Sequence, residues 1–320
     1  MIRVSHLTRA VGALLFASGV GAQDYPTKPI TFVVPFAAGS ATDQLARALG
    51  QSVSEQGKQA VVVDNKPGAS GFLAAQFVAK ASPDGHTVLI TTNTTHAANE
   101  HLYKSMPYDP VKDFAPVTLL GKGGQIMIVN PKVQAKTVGE FLALAKKNPG
   151  KLSFGSGSSS SRIAGELLQQ MAGIELLHIP YKSNPLAITD LLGGQIDMMI
   201  TDTATGLPQV KGGKVRALGV TARTRTPLAP DIPTIDEAGV KGYEMGYWFA
   251  AYVPAKTPPA TVARLQKMLV AATKSASAKA FYENTGTEIV TSTPEELAKF
   301  QSAESQKWGR IIKAAKIEPE

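Results

Sequence analysis

Short apolar runs that alternate with helical patterns constrain the fold of this 320-residue chain more than any other feature. Strands are predicted at residues 30–36, 60–64, 87–92, 151–154, 176–179, 196–201 and 215–221, with helices at 42–55, 71–81, 161–172, 186–192 and 206–211. Strands that alternate with helices favour parallel sheets of the α/β class. After an aromatic segment at residues 247–249, further helices are predicted at 260–278 and 295–315.

The two halves of the chain repeat one plan. The strand at 30–36 and the strand at 151–154 each lead through a Gly/Ser-containing loop into a helix. Two similar open α/β units in one chain indicate two lobes around a cleft. Ligands of open α/β sheets bind beyond the carboxyl ends of the strands, which is where these loops lie.

The first 22 residues have the character of a secretory signal peptide. Arg3 and Arg9 precede an apolar run at residues 10–20, and small residues up to Ala22 offer a cleavage site. The apolar run is too short to span a bilayer. The chain has no cysteine, so an exported form must be stabilised by its core, and we expect it in the periplasm.

The formal net charge of +8 does not indicate a nucleic-acid partner. The basic residues are scattered, the longest pure basic run is Lys146-Lys147, and no aromatic side chains alternate with a basic stripe. We therefore predict a solvated surface that mildly attracts anions.

The loop "PFAAGSATD" is the first candidate anion site. Ser40 and Asp43 have the spacing of a capping box, so the loop can simply start a helix. Small residues before Ser40 also let a ligand approach backbone N–H groups at a helix N-terminus, where the partial charge is positive.

The stretch "FGSGSSSSRIAGELL" is the second candidate. Two glycines and four consecutive serines offer many neutral hydrogen-bond donors at a helix start, and Arg162 follows within the first turn. Arg162 can hold a carboxylate with two hydrogen bonds or simply face solvent. A dinucleotide site is not supported, because Ser160 stands where the third glycine of that fingerprint belongs.

The sequence offers no convincing catalytic or metal site. It has no Gly-x-Ser-x-Gly elbow, no cysteine nucleophile and no Walker loop. His96 and His101 are five residues apart without a zinc-binding motif. We predict that the protein is not an enzyme and uses no metal or cofactor.

Several motifs together resemble the Bug receptors, the periplasmic substrate-binding proteins of tripartite tricarboxylate transporters. They are "YPTKPITFVVPFAAGSATDQLARAL", "VVVDNKPGASG", "ASPDGHTVLI", "YDPVKDFAPVTLL", "GGQIDMMITD", "KVRALGVTARTRTPLAPDIPTIDEAG" and "YWFAAYVPAKTP". The resemblance implies a two-lobe Venus-flytrap fold with the ligand cleft between the lobes. It also implies lobe limits: residues 23–123 with 248–320 in one lobe, and 124–247 in the other.

The resemblance also implies which residues bind a ligand carboxylate. Those in the first loop are Phe36, Ala38, Gly39, Ser40 and Asp43; those in the second are Ser156, Ser158, Ser159 and Arg162; further cleft positions are Thr92, Asn93, Thr94 and Asp202. Arg162 stands near a position where the family commonly has histidine, and its fixed charge favours a dicarboxylate. Phe36, Tyr247 and Trp248 can enclose an aromatic ring, as in a phthalate-type acid, or can be core residues near the hinge.

The partners that the resemblance implies are a small carboxylate and the membrane permease of such a transporter, with the receptor a monomer. Two alternatives stay open. The same cleft can serve a membrane sensor instead of a permease, or the serine-rich loop can belong to a secreted serine hydrolase.

Overall fold

Two sheet regions that share one long strand form the framework of the chain. The computed structural model describes residues 25–320, so the predicted signal peptide at residues 1–22 lies outside the described residues. The arrangement confirms the predicted α/β class with two lobes.

The first lobe contains strands from both ends of the described chain. Its strands are β1 (Ile30–Val34), β2 (Val61–Asn65), β3 (Thr87–Thr92), the first part of β4 (Phe114–Val129) and β9 (Gly246–Pro254). Its helices are α1 (Ala41–Gly57), α2 (Phe72–Ala79), α3 (Asn99–Leu102), α8 (Pro259–Ala272), α9 (Ala276–Thr285) and α10 (Pro294–Ala314). A wide π-type turn at Thr94–Ala98 joins β3 to α3.

The second lobe is built from the middle of the chain. Its strands are the end of β4, β5 (Ser153–Ser156), β6 (Leu177–Pro180), β7 (Met198–Asp202) and β8 (Arg216–Val220). Its helices are α4 (Val138–Lys147), α5 (Ser159–Ala172), α6 (Asn184–Gly193) and α7 (Thr203–Lys211).

The strand order is β2-β1-β3-β9-β4-β7-β5-β6, with β8 also paired to β4. In the first lobe β1 is parallel to β2 and β3, and in the second lobe β5 is parallel to β6 and β7. This agrees with the parallel sheets that the sequence predicts. Strands β4 and β9, which the sequence analysis did not identify, run antiparallel to their neighbours.

The long strand β4 crosses from one lobe to the other. Its residues up to Gly124 pair with β9, whereas Gln125 and those after it pair with β7 and β8. Strand β9 returns the chain to the first lobe from Gly246 onward. The lobe limits predicted at 123/124 and 247/248 lie beside these crossing points and stay predictions.

The core of each lobe lies between its sheet and its helices. Phe32, Leu45 and Phe249 are buried in the first lobe, and Ile128 and Leu191 in the second. A further cluster joins Leu89 of β3 with Phe154 of β5, so apolar packing is continuous between the lobes.

The helical region after β9 differs from the prediction in one respect. The single helix predicted at residues 260–278 is two helices, because Ser275 accepts a hydrogen bond from the backbone N–H of Ala278 and begins α9. Within residues 25–320, no helix is both long enough and apolar enough to cross a membrane.

Candidate functional site

A cavity lies between the two lobes, at the carboxyl ends of β1, β3, β5 and β7. Its lining residues are Phe36, Ser40, Ala41, Thr42, Thr92, Gln125, Ser158, Ser160, Asn184, Asp202, Tyr247 and Phe249. The cavity has a volume of about 30 Å³. The lobes are therefore close together around a narrow cavity.

Four helices begin at this cavity. Ser40 accepts a hydrogen bond from the N–H of Asp43 at the start of α1, and Ser158 accepts one from the N–H of Ser161 at the start of α5. Asn184 is the first residue of α6, and Asp202 caps α7. Helix N-termini present unpaired N–H groups and a partial positive charge, so together they favour an anion.

The charge of the lining is otherwise low. Among the described residues that line the cavity, none is Lys, Arg or His, and Asp202 is the one acid. Both carboxylate oxygens of Asp202 accept hydrogen bonds that hold the second-lobe residues of the cavity in place. Its Oδ1 accepts the N–H of Thr205 at 2.8 Å and its Oδ2 accepts Nδ2 of Asn184 at 2.9 Å, while Oδ1 of Asn184 accepts the N–H of Gly157 at 3.0 Å.

Gln125 supplies a polar group from the strand that crosses between the lobes. Its side chain is buried, and its Oε1 has no hydrogen-bond partner within residues 25–320. Buried polar groups are nearly always paired in native proteins. Because an amide oxygen accepts hydrogen bonds, it is suited to a hydroxyl of a ligand or to a water that accompanies one.

Aromatic rings form the apolar part of the cavity wall. Phe36, Tyr247 and Phe249 line it, and the Tyr247 hydroxyl lies 3.1 Å from Oγ1 of Thr287. Burial and the nearby charge of Asp202 raise the pKa of Tyr247 to about 12, so the hydroxyl stays protonated. Trp248 lies apart, with its ring against Phe300 of α10.

The structure brings five of the predicted ligand residues to the cavity: Phe36, Ser40, Thr92, Ser158 and Asp202. Ala38 and Gly39 are exposed on the loop before α1. Asp43 supports this loop from behind, since its Oδ2 accepts the Gly39 N–H at 2.9 Å and its Oδ1 accepts Nδ2 of Asn65 at 3.0 Å. Burial acts to raise the pKa of Asp43, but these hydrogen bonds and Arg47 lower it overall.

Four other predicted residues are bonded to protein groups or buried. The Ser156 hydroxyl lies 2.7 Å from Nε2 of His178, and the Ser159 hydroxyl donates to Oδ1 of Asn99 at 2.7 Å. Asn93 is completely buried, and neither amide atom has a partner in the described part of the chain. Thr94, also buried, lies in the π-type turn after β3. None of the four lines the cavity.

Arg162 also stands away from the cavity. Its Nη1 lies 2.7 Å from Oε1 of Glu320, which forms an ion pair with the segment after α10. The guanidinium is thus already matched with a carboxylate of the protein, and a direct contact with a bound ligand is not supported by this arrangement.

Several residues that line the cavity were not among the predicted ligand-binding residues. Ala41, Thr42 and Ser160 stand directly beside residues that it selected, and Asn184 belongs to a Ser-Asn-Pro helix start that could have been recognised. Phe249 belongs to the aromatic segment at residues 247–249, beside Tyr247. Gln125 had no local signal, because it reaches the cavity only through the antiparallel pairing of β4 with β7. Within residues 25–320, no cluster of three His, Cys, Asp or Glu side chains could hold a metal ion.

Comparison with known proteins gives a consistent result. The model of the TctC family, described as the tripartite tricarboxylate transporter family receptor, matches residues 45–317. A protein from Pseudomonas sp. strain P51, named for the tcbD-tcbE intergenic region, is 36% identical over 291 residues, which are 90% of this chain and 86% of that protein. Protein BugT of Bordetella pertussis strain Tohama I is 29% identical over 319 residues, 98% of each chain.

Solved structures extend the similarity to the whole described fold. Rpa4515 of R. palustris, solved with adipate, is 34% identical with a TM-score of 0.90, covering 93% of this chain and 100% of that one. The periplasmic binding protein BugD is also 34% identical, with a TM-score of 0.89 and coverage of 92% and 100%. MatC of Rhodopseudomonas palustris, solved with malate, is 29% identical with a TM-score of 0.86 and coverage of 90% and 100%.

Proposed function

Because the chain belongs to the receptor family of tripartite tricarboxylate transporters, we propose that it captures a small organic carboxylate between its lobes. It does so in the periplasm and delivers the ligand to a membrane permease. The observation that supports this most directly is the convergence of four helix N-termini on one cavity whose described lining includes no cation.

Neutral donors suit a protein that must release what it binds. A helix N-terminus stabilises an anion by about 0.3–1 kcal/mol when exposed and by up to ~2 kcal/mol when partly buried. Micromolar affinity needs about 8 kcal/mol. Several helix ends, hydroxyl donors and apolar enclosure must therefore act together, and parting the lobes removes them together.

The start of α5 is the most favourable place for the ligand's carboxylate. Helix α7 is capped by the charged Asp202, and α1 has Asp43 in its first turn. Helix α5 has a neutral cap, Ser158, and no acid in its first turn. Helix α6 also lacks an acid in its first turn, but its first residue, Asn184, is hydrogen-bonded to Asp202. The carboxylate is thus expected beside Ser158 and Ser160.

A dicarboxylate is the favoured ligand class. Relatives of known structure hold adipate and malate, which both have two carboxylates. The second carboxylate would accept hydrogen bonds from uncharged donors such as the Thr42 hydroxyl and Nε2 of Gln125, since Arg162 is paired elsewhere. The walls formed by Phe36, Tyr247 and Phe249 also suit an aromatic ring, so a phthalate-type acid remains part of the proposal.

Binding without catalysis is the better account of the serine-rich loop. Ser156 and His178 are within hydrogen-bond distance, but neither lines the cavity. Burial, followed by the charge of Arg162, lowers the pKa of His178 to about 4, which weakens it as a general base.

A cap variant tests the proposal. Ser158→Ala removes both the cap of α5 and a donor to the ligand, and we expect about a tenfold loss of affinity for the best acid of a panel containing adipate, malate and phthalate. Calorimetry gives the affinity, after a thermal-shift screen in which ligand at 100 times its Kd stabilises by about 2.7 kcal/mol.

The matched control is Ser275→Ala. Ser275 caps α9 by the same hydrogen bond, but it does not line the cavity. This variant should lose about 1 kcal/mol of stability and keep its affinity. If no carboxylate stabilises the protein, or if both variants bind equally well, the proposed site is wrong.

A further inference from the structure

Arg162 forms an ion pair that joins the two lobes. It lies in the first turn of α5 in the second lobe, and its Nη1 is 2.7 Å from Oε1 of Glu320. The Arg162 side chain is 17% exposed and that of Glu320 is 58% exposed, so the pair is partly shielded from solvent.

Glu320 is fixed to the first lobe through its backbone. Its N–H donates to the carbonyl of Leu102 at 2.9 Å, and its main-chain oxygen accepts the N–H of Lys104 at 2.8 Å. The preceding helix α10 is tied to α3 by the 3.0 Å contact between His101 and Ser305. The Glu320 carboxylate is therefore carried by the first lobe, whereas Arg162 is carried by the second.

A second contact crosses between the lobes beside this pair. The hydroxyl of Ser159 donates to Oδ1 of Asn99 at 2.7 Å, and Nδ2 of Asn99 donates to the carbonyl of Ser70 at 2.9 Å. On another part of the interface, Thr203 of α7 donates to the carbonyl of Thr285 in α9. Closing the lobes thus satisfies polar groups outside the ligand cavity.

The position of Arg162 on its helix explains why it needs a partner. A cation in the first turn of a helix is opposed by the partial positive charge of the helix N-terminus. The neighbouring His178 is neutral at pH 7, because burial and then Arg162 itself lower its pKa to about 4. Nε of Arg162 is buried and has no partner within residues 25–320. Separation of the lobes would remove the Glu320 carboxylate from this group.

We propose that Arg162 and Glu320 form a closure latch: an ion pair made when the lobes close, which sets how long a ligand is held without contacting it. The proposal builds on the proposed function, because the lobes must part for a ligand to enter. The latch slows lobe opening and so lengthens ligand residence.

Distance measurements between spin labels on the two lobes test the latch. The chain has no cysteine, so labels attach only to introduced ones, and Gln51→Cys with Lys182→Cys places one label on an exposed residue of each lobe. Glu320→Gln, Arg162→Gln and the double variant are compared with the parent, without ligand and with adipate or malate. Each variant should lower the closed-to-open ratio by about two- to fivefold, as for a partly exposed ion pair.

Two further readouts separate a latch from a merely structural contact. Raising the salt concentration should lower the ratio in the parent and leave Glu320→Gln unchanged. The dissociation rate of adipate or malate should rise in the variants by the same factor. The control is Lys28→Gln, which breaks the 2.8 Å ion pair with Asp84 inside the first lobe and should shift nothing.

The outcomes are distinguishable. An unchanged closed-to-open ratio in Glu320→Gln overturns the latch, as does a change in Arg162→Gln alone. If adipate and malate have no effect on the parent but Glu320→Gln still shifts the ligand-free ratio, the latch stands and the proposed ligand class fails.

Discussion

At the scale of single residues, His96 shows how the interior of the first lobe fixes a protonation state. Its ring is completely buried and stacks on Tyr252 with the ring centres 3.9 Å apart. Nδ1 lies 2.8 Å from the Thr95 hydroxyl, whereas Nε2 has no partner in the part of the chain that the structure describes. Burial lowers the pKa of His96 to about 3, so the folded protein holds it uncharged.

The neutral His96 predicts loss of stability in acid. Between pH 6.5 and about pH 3, His96 is protonated in the unfolded chain but stays neutral in the folded protein. The free energy of unfolding therefore falls as the pH falls through this range. His96→Phe keeps the stacking and removes the titration. Denaturant unfolding at pH 7 and at pH 4.5 measures the drop in the free energy of unfolding between these two pH values. This drop should be about 2–3 kcal/mol smaller in the variant than in the parent. Equal losses in the parent and in His96→Phe would exclude His96 as the cause.

At the scale of elements, one chain of hydrogen bonds aligns the helix starts of the second lobe. Asn184 receives the Gly157 N–H from the loop before α5 and donates to Asp202 at the start of α7. Gly157 allows this approach, since a Cβ there would lie 1.9 Å from the backbone carbon of Ser183. The three loops are therefore held in contact by groups with little freedom to move.

Asn184→Asp should uncouple these elements. The new carboxylate can still accept the Gly157 N–H. It cannot donate to Asp202, whose Oδ2 now lies 2.9 Å from Nδ2 of Asn184, so two negative charges would face each other there. We expect affinity for adipate or malate to fall by at least about tenfold, which calorimetry measures. Asn148→Asp serves as the control, because Asn148 also donates its amide hydrogen to a carbonyl in this lobe but lies at the end of α4. An equal loss in both variants would show that the effect is general destabilisation.

The sequence predicts the local parts of these elements well and the distant ones poorly. Ser40 and Ser158 were recognisable because a cap and the helix that it begins are adjacent in the chain. Gln125 enters the cavity because β4 pairs antiparallel with β7, and Arg162 is withdrawn from it by Glu320. Both facts depend on residues far apart in sequence, which no local pattern reveals.

At the scale of the whole molecule, the crossing between the lobes is in direct contact with the cavity. Gly123 of β4 pairs with Tyr247 of β9, and the Tyr247 ring lines the cavity. A Cβ on Gly123 would lie 2.3 Å from the Tyr247 hydroxyl oxygen. The position of this ring is thus set by the backbone that joins the two lobes, so under the proposed closure the lobe angle and the cavity shape would be linked.

Gly123→Ala should therefore weaken ligand binding by changing the place where β4 and β9 cross between the lobes. The added methyl group has to displace the Tyr247 ring, a steric cost of about 1–3 kcal/mol, and we expect roughly a tenfold loss of affinity for adipate or malate while the protein stays folded. Spin-label distances should shift with the same substitution, because the lobes settle at a different angle.

Gly139→Ala in α4 is the control: the nearest atom to its added Cβ is the Thr137 hydroxyl oxygen at 4.0 Å, so neither affinity nor distance should change. Unaltered binding in Gly123→Ala would mean that the Tyr247 ring moves freely and does not couple the hinge to the cavity.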